Sequence, residues 1–117
     1  MRRPLSDDER RLIRALLPTT GGDVEEELLH GLDRVEVVGQ CGCGCPSIDL
    51  AVKGAPHQPG AGSRMVARAE ARTPAGVPVG VILWAANGSL TGLEVHPWDA
   101  TTSFGLPLPE SITDLQR

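Results

Sequence analysis

The spacing of apolar residues changes at Asp33, and that change constrains the fold more than any other feature of the sequence. Ahead of it, apolar positions recur at helical intervals. Beyond it they alternate, as a strand with one buried face requires. Ser6 followed by Glu9 reads as a capping box, with Asp7 and Asp8 beside the positive end of the helix dipole. Leu12, Ile13, Leu16 and Leu17 then form one stripe, and Pro18 ends a helix over 7–17. A second helix is expected from Asp23, with Val24, Leu28, Leu29 and Leu32 on one face and Glu25, Glu26 and Glu27 on the other. That acidic run reads as a solvated helix surface in preference to a docking face.

Strands are expected near 34–40, 47–53, 64–73, 77–86 and 89–96. Asn87-Gly88 suits a type I′ hairpin turn, whose two central residues both need positive φ. The resulting register sets Ile82 opposite Leu93, Trp84 opposite Thr91 and Gly80 opposite Val95. A turn at Ala75-Gly76 places Met65, Ala67, Ala69 and Ala71 on the face of Ile82 and Trp84, where small alanines beside a large indole suit a packed layer. The fold class predicted is α+β: two N-terminal helices packed on one face of a largely antiparallel, about five-stranded meander sheet. Leu12, Leu16, Leu28, Leu32, Ile82, Trp84 and Leu93 would be buried between helices and sheet.

The opposite sheet face then carries Arg68, Glu70, Arg72 and Glu94 together with Val79, Val81, Leu83 and Leu90. So mixed a surface either lies under the Pro- and Gly-rich segments 54–63 and 97–109 or receives a partner. Val81, Leu83, Leu90, Arg68 and Glu70 are the candidate partner-binding residues, for another protein or for a second copy of the chain.

The length of 117 residues suits one domain over 1–117, with 1–5 and 110–117 expected to be loosely ordered. Aromatic residues make up only 3%, so the core must rest on interdigitated aliphatic side chains. A net charge of −4 argues against nucleic-acid binding, which calls for a basic patch. No apolar run approaches the ~18 residues of a membrane span. The N-terminus turns acidic where a leader would turn apolar, and an odd number of thiols fits a reducing compartment. A cytoplasmic protein that binds neither nucleic acid nor membrane is expected.

All three cysteines fall in Cys41-Gly42-Cys43-Gly44-Cys45-Pro46. Thiolates are soft ligands and glycines let the backbone wrap an ion, which makes Cys41, Cys43 and Cys45 candidate zinc ligands. Structural zinc takes four ligands, however, and His30, His57, His96, Asp49 and Asp99 all stand off the spacing of zinc motifs. Pairing Val37 with Ile48 and Val35 with Leu50 puts Gly42-Cys43 at a hairpin tip, with Cys41 and Cys45 on opposite faces. A one-residue bulge reverses that. A structural glycine turn is the reading preferred here, with a soft-metal (zinc) or thiol-redox site as the alternative. Catalytic signals are weaker: the histidines stand apart from the thiols, and no glycine loop leads into a helix as phosphate binding requires.

The stretch from Val37 to Leu50, followed by Gly80-Val81-Ile82-Leu83 and Gly92-Leu93-Glu94-Val95, resembles a family of small uncharacterised bacterial proteins. Its members share a Leu-Ser-Asp-type helix start, the Cys-Gly-Cys-Gly-Cys-Pro turn and the late Gly-Leu-Glu-Val strand. The resemblance implies one soluble domain and brings no catalytic residue or cofactor. The function expected is therefore a small acidic non-enzymatic protein that binds a protein partner, with a toxin-neutralising immunity protein as one version by analogy.

Overall fold

Ser6 Oγ accepts the Glu9 amide at 3.1 Å, and the Glu9 carboxylate accepts the Ser6 amide at 2.8 Å. Helix α1 (Asp7–Leu16) therefore starts where the capping box places it. The computed structural model describes residues 3–17, 28, 30–40, 46–55, 62–86, 88–98 and 105–116. Arg3, in strand β1 (Arg3–Pro4), donates to both Glu9 oxygens at 2.9 and 2.8 Å and so ties the helix start to the sheet. Glu9 is only 5% exposed. Burial alone would raise its pKa, but hydrogen bonds from Arg3 and Ser6 outweigh that and hold it below the ordinary value of 4.5.

The remaining strands are β2 (Val35–Gln40), β3 (Ile48–Val52), β4 (Arg64–Arg72), β5 (Pro78–Ala86), β6 (Ser89–Pro97) and β7 (Thr113–Gln116). All seven join one antiparallel sheet in the order β1-β2-β3-β6-β5-β4-β7. Within it β3 lies beside β6, a Greek-key order rather than a meander. Short 3₁₀ turns at Gly31–Arg34 and Pro109–Ser111 lead into β2 and β7. Both sheet edges are blunted, β1 by its two-residue length and Pro4, β7 by Asp114 at φ 51°. Such edges resist pairing with another chain.

This architecture corrects the expected fold class. The protein is mostly β, with seven strands instead of about five and, among the described residues, one complete α-helix in place of two. Strands of two and four residues are too short to show alternation, so β1 and β7 left no periodic signal. Most of the second helix expected from Asp23 lies outside the described residues. Of its apolar face, Leu28 and Leu32 are buried, Leu32 within the 3₁₀ turn.

The larger correction concerns which face of the sheet is buried. The β4–β5 loop has three residues, Pro74-Ala75-Gly76, not two: the Thr73 amide donates to the Val77 carbonyl at 3.0 Å, and Gly76 takes φ +85°. A left-handed glycine ends such a loop. Ala71 consequently pairs with Val79, Ala69 with Val81 and Ala67 with Leu83. In the next hairpin Ala86 pairs with Ser89 as Asn87-Gly88 implies, but the register slips between Trp84 and Ala85. Leu90 faces Ala85 while Gly92 faces Trp84, so Thr91 is the extra residue of a β-bulge. Leu83 therefore meets Leu93, and Ile82 meets Glu94. A shift of one position exchanges the two faces of a strand.

Val79, Val81 and Leu83 are fully buried, and Leu90, Leu93 and Val95 nearly so. With Val35, Val37, Ile48, Leu50 and the alanines of β4 they make the sheet's share of one core. Leu12, Ile13, Leu16 and Leu17 of the α1 segment belong to the same core, as do Leu5, Leu28 and Leu32. Ile82 and Trp84, expected in the core, lie on the other face and are half-buried. No described helix is long and apolar enough to cross a membrane.

Candidate binding face

No described element crosses the sheet face opposite α1. Alternation along the strands assigns it Glu36, Asp49, Arg68, Glu70, Arg72, Gly80, Ile82, Trp84, Gly92, Glu94 and His96. Glycine in a central strand leaves a gap in the side-chain layer, and at Gly80 a ring from the neighbouring strand fills it. Gly80 pairs with His96, and a Cβ built on Gly80 would lie 2.3 Å from the imidazole Cε1. Gly92 pairs with Trp84, whose indole Cδ1 would stand 3.8 Å from a Cβ at that glycine. The first pair lays the imidazole over backbone, whereas the indole only borders the second glycine.

Two depressions flank the rings. One, of about 230 Å³, is lined by Glu70, Ile82, His96, Trp98 and Asp114, with Arg68 and Gln116 on its β4–β7 side. Trp98 follows β6 and is 60% exposed, although its backbone amide is fixed to the Pro78 carbonyl at 3.3 Å. Arg68 Nε donates to Gln116 Oε1 at 3.0 Å, which directs this guanidinium toward β7. The other, of about 350 Å³, is lined by Asp49, Ser63, Trp84, Thr91, Gly92 and Glu94. The bulge residue Thr91 is held there by a 2.8 Å hydroxyl contact with Ser63. Nearby, Ser47 Oγ bridges both the amide and the carbonyl of Val95, at 2.9 and 3.1 Å.

Of the candidate partner-binding residues, Arg68 and Glu70 lie on this face. Val81, Leu83 and Leu90 do not: the register slip turns them into the core, where no partner reaches them. Ile82, Trp84, Glu94 and His96 take their places, and the sequence reading missed Trp98. Cys41, Cys43 and Cys45 lie outside the described residues, as do His57 and Asp99. The hairpin that carries the cysteines differs from expectation at its described ends. Val37 pairs with Leu50 and Val35 with Val52, and a further shift at Val38 brings Gln40 opposite Ile48. The tip expected at Gly42-Cys43 lies outside the described residues. Among the described residues, no three His, Cys, Asp or Glu side chains gather as metal ligands would.

No protein-family model, curated protein or solved structure matches the chain. Function must therefore be argued from the face itself.

Proposed function

We propose that the protein is a non-enzymatic module that holds a protein partner on the open face of its sheet. One observation carries this reading. The sheet buries one face against α1, while the other presents Ile82, Trp84 and the exposed Trp98 with no described element over them. An apolar surface rimmed by charged groups is the usual make-up of a protein interface, and indoles anchor such interfaces more often than most side chains. In a two-fold pairing of this face the carboxylates Glu70 and Glu94 of one copy could face Arg68 or Arg72 of the other, so a second copy is the other occupant that the test below distinguishes.

The test is retention of a stoichiometric partner by the tagged protein in its own cells, compared with two variants. Ile82→Asp with Trp98→Asp alters the open face, and Arg14→Glu alters the exposed side of α1. The partner should be lost with the first variant and kept with the second, both unfolding in urea near the wild-type midpoint. A partner that survives the sheet-face substitutions overturns the proposal.

A further inference from the structure

Across the open face, β4, β5 and β6 contribute one residue each to a series of rows. Met65, Trp84 and Gly92 form one row, Arg68, Ile82 and Glu94 the next, and Glu70, Gly80 and His96 a third. The fourth holds Arg72, Pro78 and Trp98, whose amide is fixed to the Pro78 carbonyl. In every row the β4 member complements the β6 member: a long thioether and a glycine, a cation and a carboxylate, a carboxylate and an imidazole, a guanidinium and an indole. Yet β5 holds each pair apart. Arg68 donates through Nε to the neutral Gln116, which leaves its charge uncancelled, and the side chains of Glu70, Glu94 and His96 have no hydrogen bond or ion pair among the described residues. We infer that the open face is the interface of a homodimer whose two-fold axis runs along β5.

Such an axis, lying between two sheets packed face to face, keeps the rows in step and sets β4 of one copy over β6 of the other. Arg68 then meets Glu94 of the second copy, Glu70 meets its His96, and Arg72 meets its Trp98, where an indole face attracts the guanidinium. Each of these contacts forms twice. Met65, which is 47% exposed, enters the depression of about 350 Å³ above Gly92, and Ile82 and Trp84 pack against their own counterparts on the axis. Aligned sheets pack about 10 Å apart and cross at about 30°, which pairs of long charged side chains can span. An axis across the strands instead sets Ile82 against Gly80, where the copy's own His96 ring already fills the gap. Four strands, β3, β6, β5 and β4, are about 19 Å wide, and the nine residues of each of the last three run about 30 Å. Two such faces in contact remove on the order of 1,000 Å² from water, enough for a specific interface.

This inference rests on the open-face reading and names its occupant as a second copy. Sedimentation equilibrium of the purified chain is the assay, and the wild type should be dimeric at about 50 µM. Arg68→Glu and Glu94→Arg each set like charges across the axis and should weaken the dimer at least 10-fold. An equimolar mixture of the two should recover to within about 3-fold of the wild type, because each altered residue then faces its opposite charge. Met65→Asp, at an exposed position, should also weaken the dimer at least 10-fold. A wild type that stays monomeric, a dimer indifferent to the single substitutions, or a mixture no tighter than its components overturns the inference. Should a charge reversal prevent folding, Met65→Asp decides, and a dimer that it leaves intact overturns the inference as well. If the chain is monomeric but retains another protein that Ile82→Asp with Trp98→Asp releases, the second copy falls and the open-face reading stands.

Discussion

Replacing Leu83 by alanine tests the register on which every statement about the binding face depends. Leu83 is fully buried, and on either side of it the sheet places Ala67 and Leu93. The substitution deletes three buried carbons, about 2.4 kcal/mol at ~0.8 kcal/mol each. Ala67 is too small to move into the space, so a cavity persists and adds about 1 kcal/mol. The expected loss is therefore about 3–4 kcal/mol, a large part of the ~5–15 kcal/mol that stabilises a domain of this size. In a urea titration the midpoint should fall by more than about 1 M at an unchanged slope. Glu94→Gln, one position along β6 from the facing Leu93, should stay within about 0.5 kcal/mol. Were Leu83 on a solvated face, its truncation would be nearly as mild. A measured loss below about 1 kcal/mol would show that the register, and with it the open face, is wrong.

Gly76→Ala should cost about 1–2 kcal/mol; a Cβ there meets nothing within 4 Å, so the whole cost comes from holding φ +85°. Gly76→Asn, which tolerates that conformation better, should cost less in the same titration, and equal losses would argue against a left-handed loop residue. Glu9→Gln breaks the double hydrogen bond from Arg3 and should cost about 1–2 kcal/mol at neutral pH. Because the native Glu9 pKa is depressed, its contribution is complete above the ordinary value of 4.5 and disappears as pH falls through the lower native value. Wild-type and Glu9→Gln stabilities should thus converge as the pH drops below 4.5, and a constant gap down to strong acid would refute the assignment. Gly80→Ala forces the His96 imidazole off the sheet, because the new methyl would sit 2.3 Å from it. Since His96 is exposed and free to turn, stability should change by less than about 1 kcal/mol while its ring-proton NMR signals shift; unchanged signals would place the ring elsewhere.

What was legible in the residues, and what was not, follows from the difference between local and register information. The capping box at Ser6 and Glu9 and the hairpin closure that pairs Ala86 with Ser89 are local chemistry, and both fall where the residue types demand. Face assignment is different in kind, because a strand repeats every two residues and a single miscounted position inverts it. Two such miscounts occurred, one in the length of the Pro74-Ala75-Gly76 loop and one at Thr91. The signs of irregularity were nevertheless present as broken alternation. Leu90, Leu93 and Val95 cannot share a face at a strict period of two, and neither can adjacent Val66 and Ala67, or Val37 and Val38. All three breaks coincide with register shifts. Side-chain shape supplies the stronger argument for the observed face. Val79, Val81, Leu83 and Ala85 form a continuous aliphatic row buried in the core shared with α1. The other row of β5 and its neighbour β6 contains Gly80 and Gly92, whose missing side chains would leave voids in a core. On an open face such voids cost little, and the one at Gly80 becomes a seat for the His96 ring.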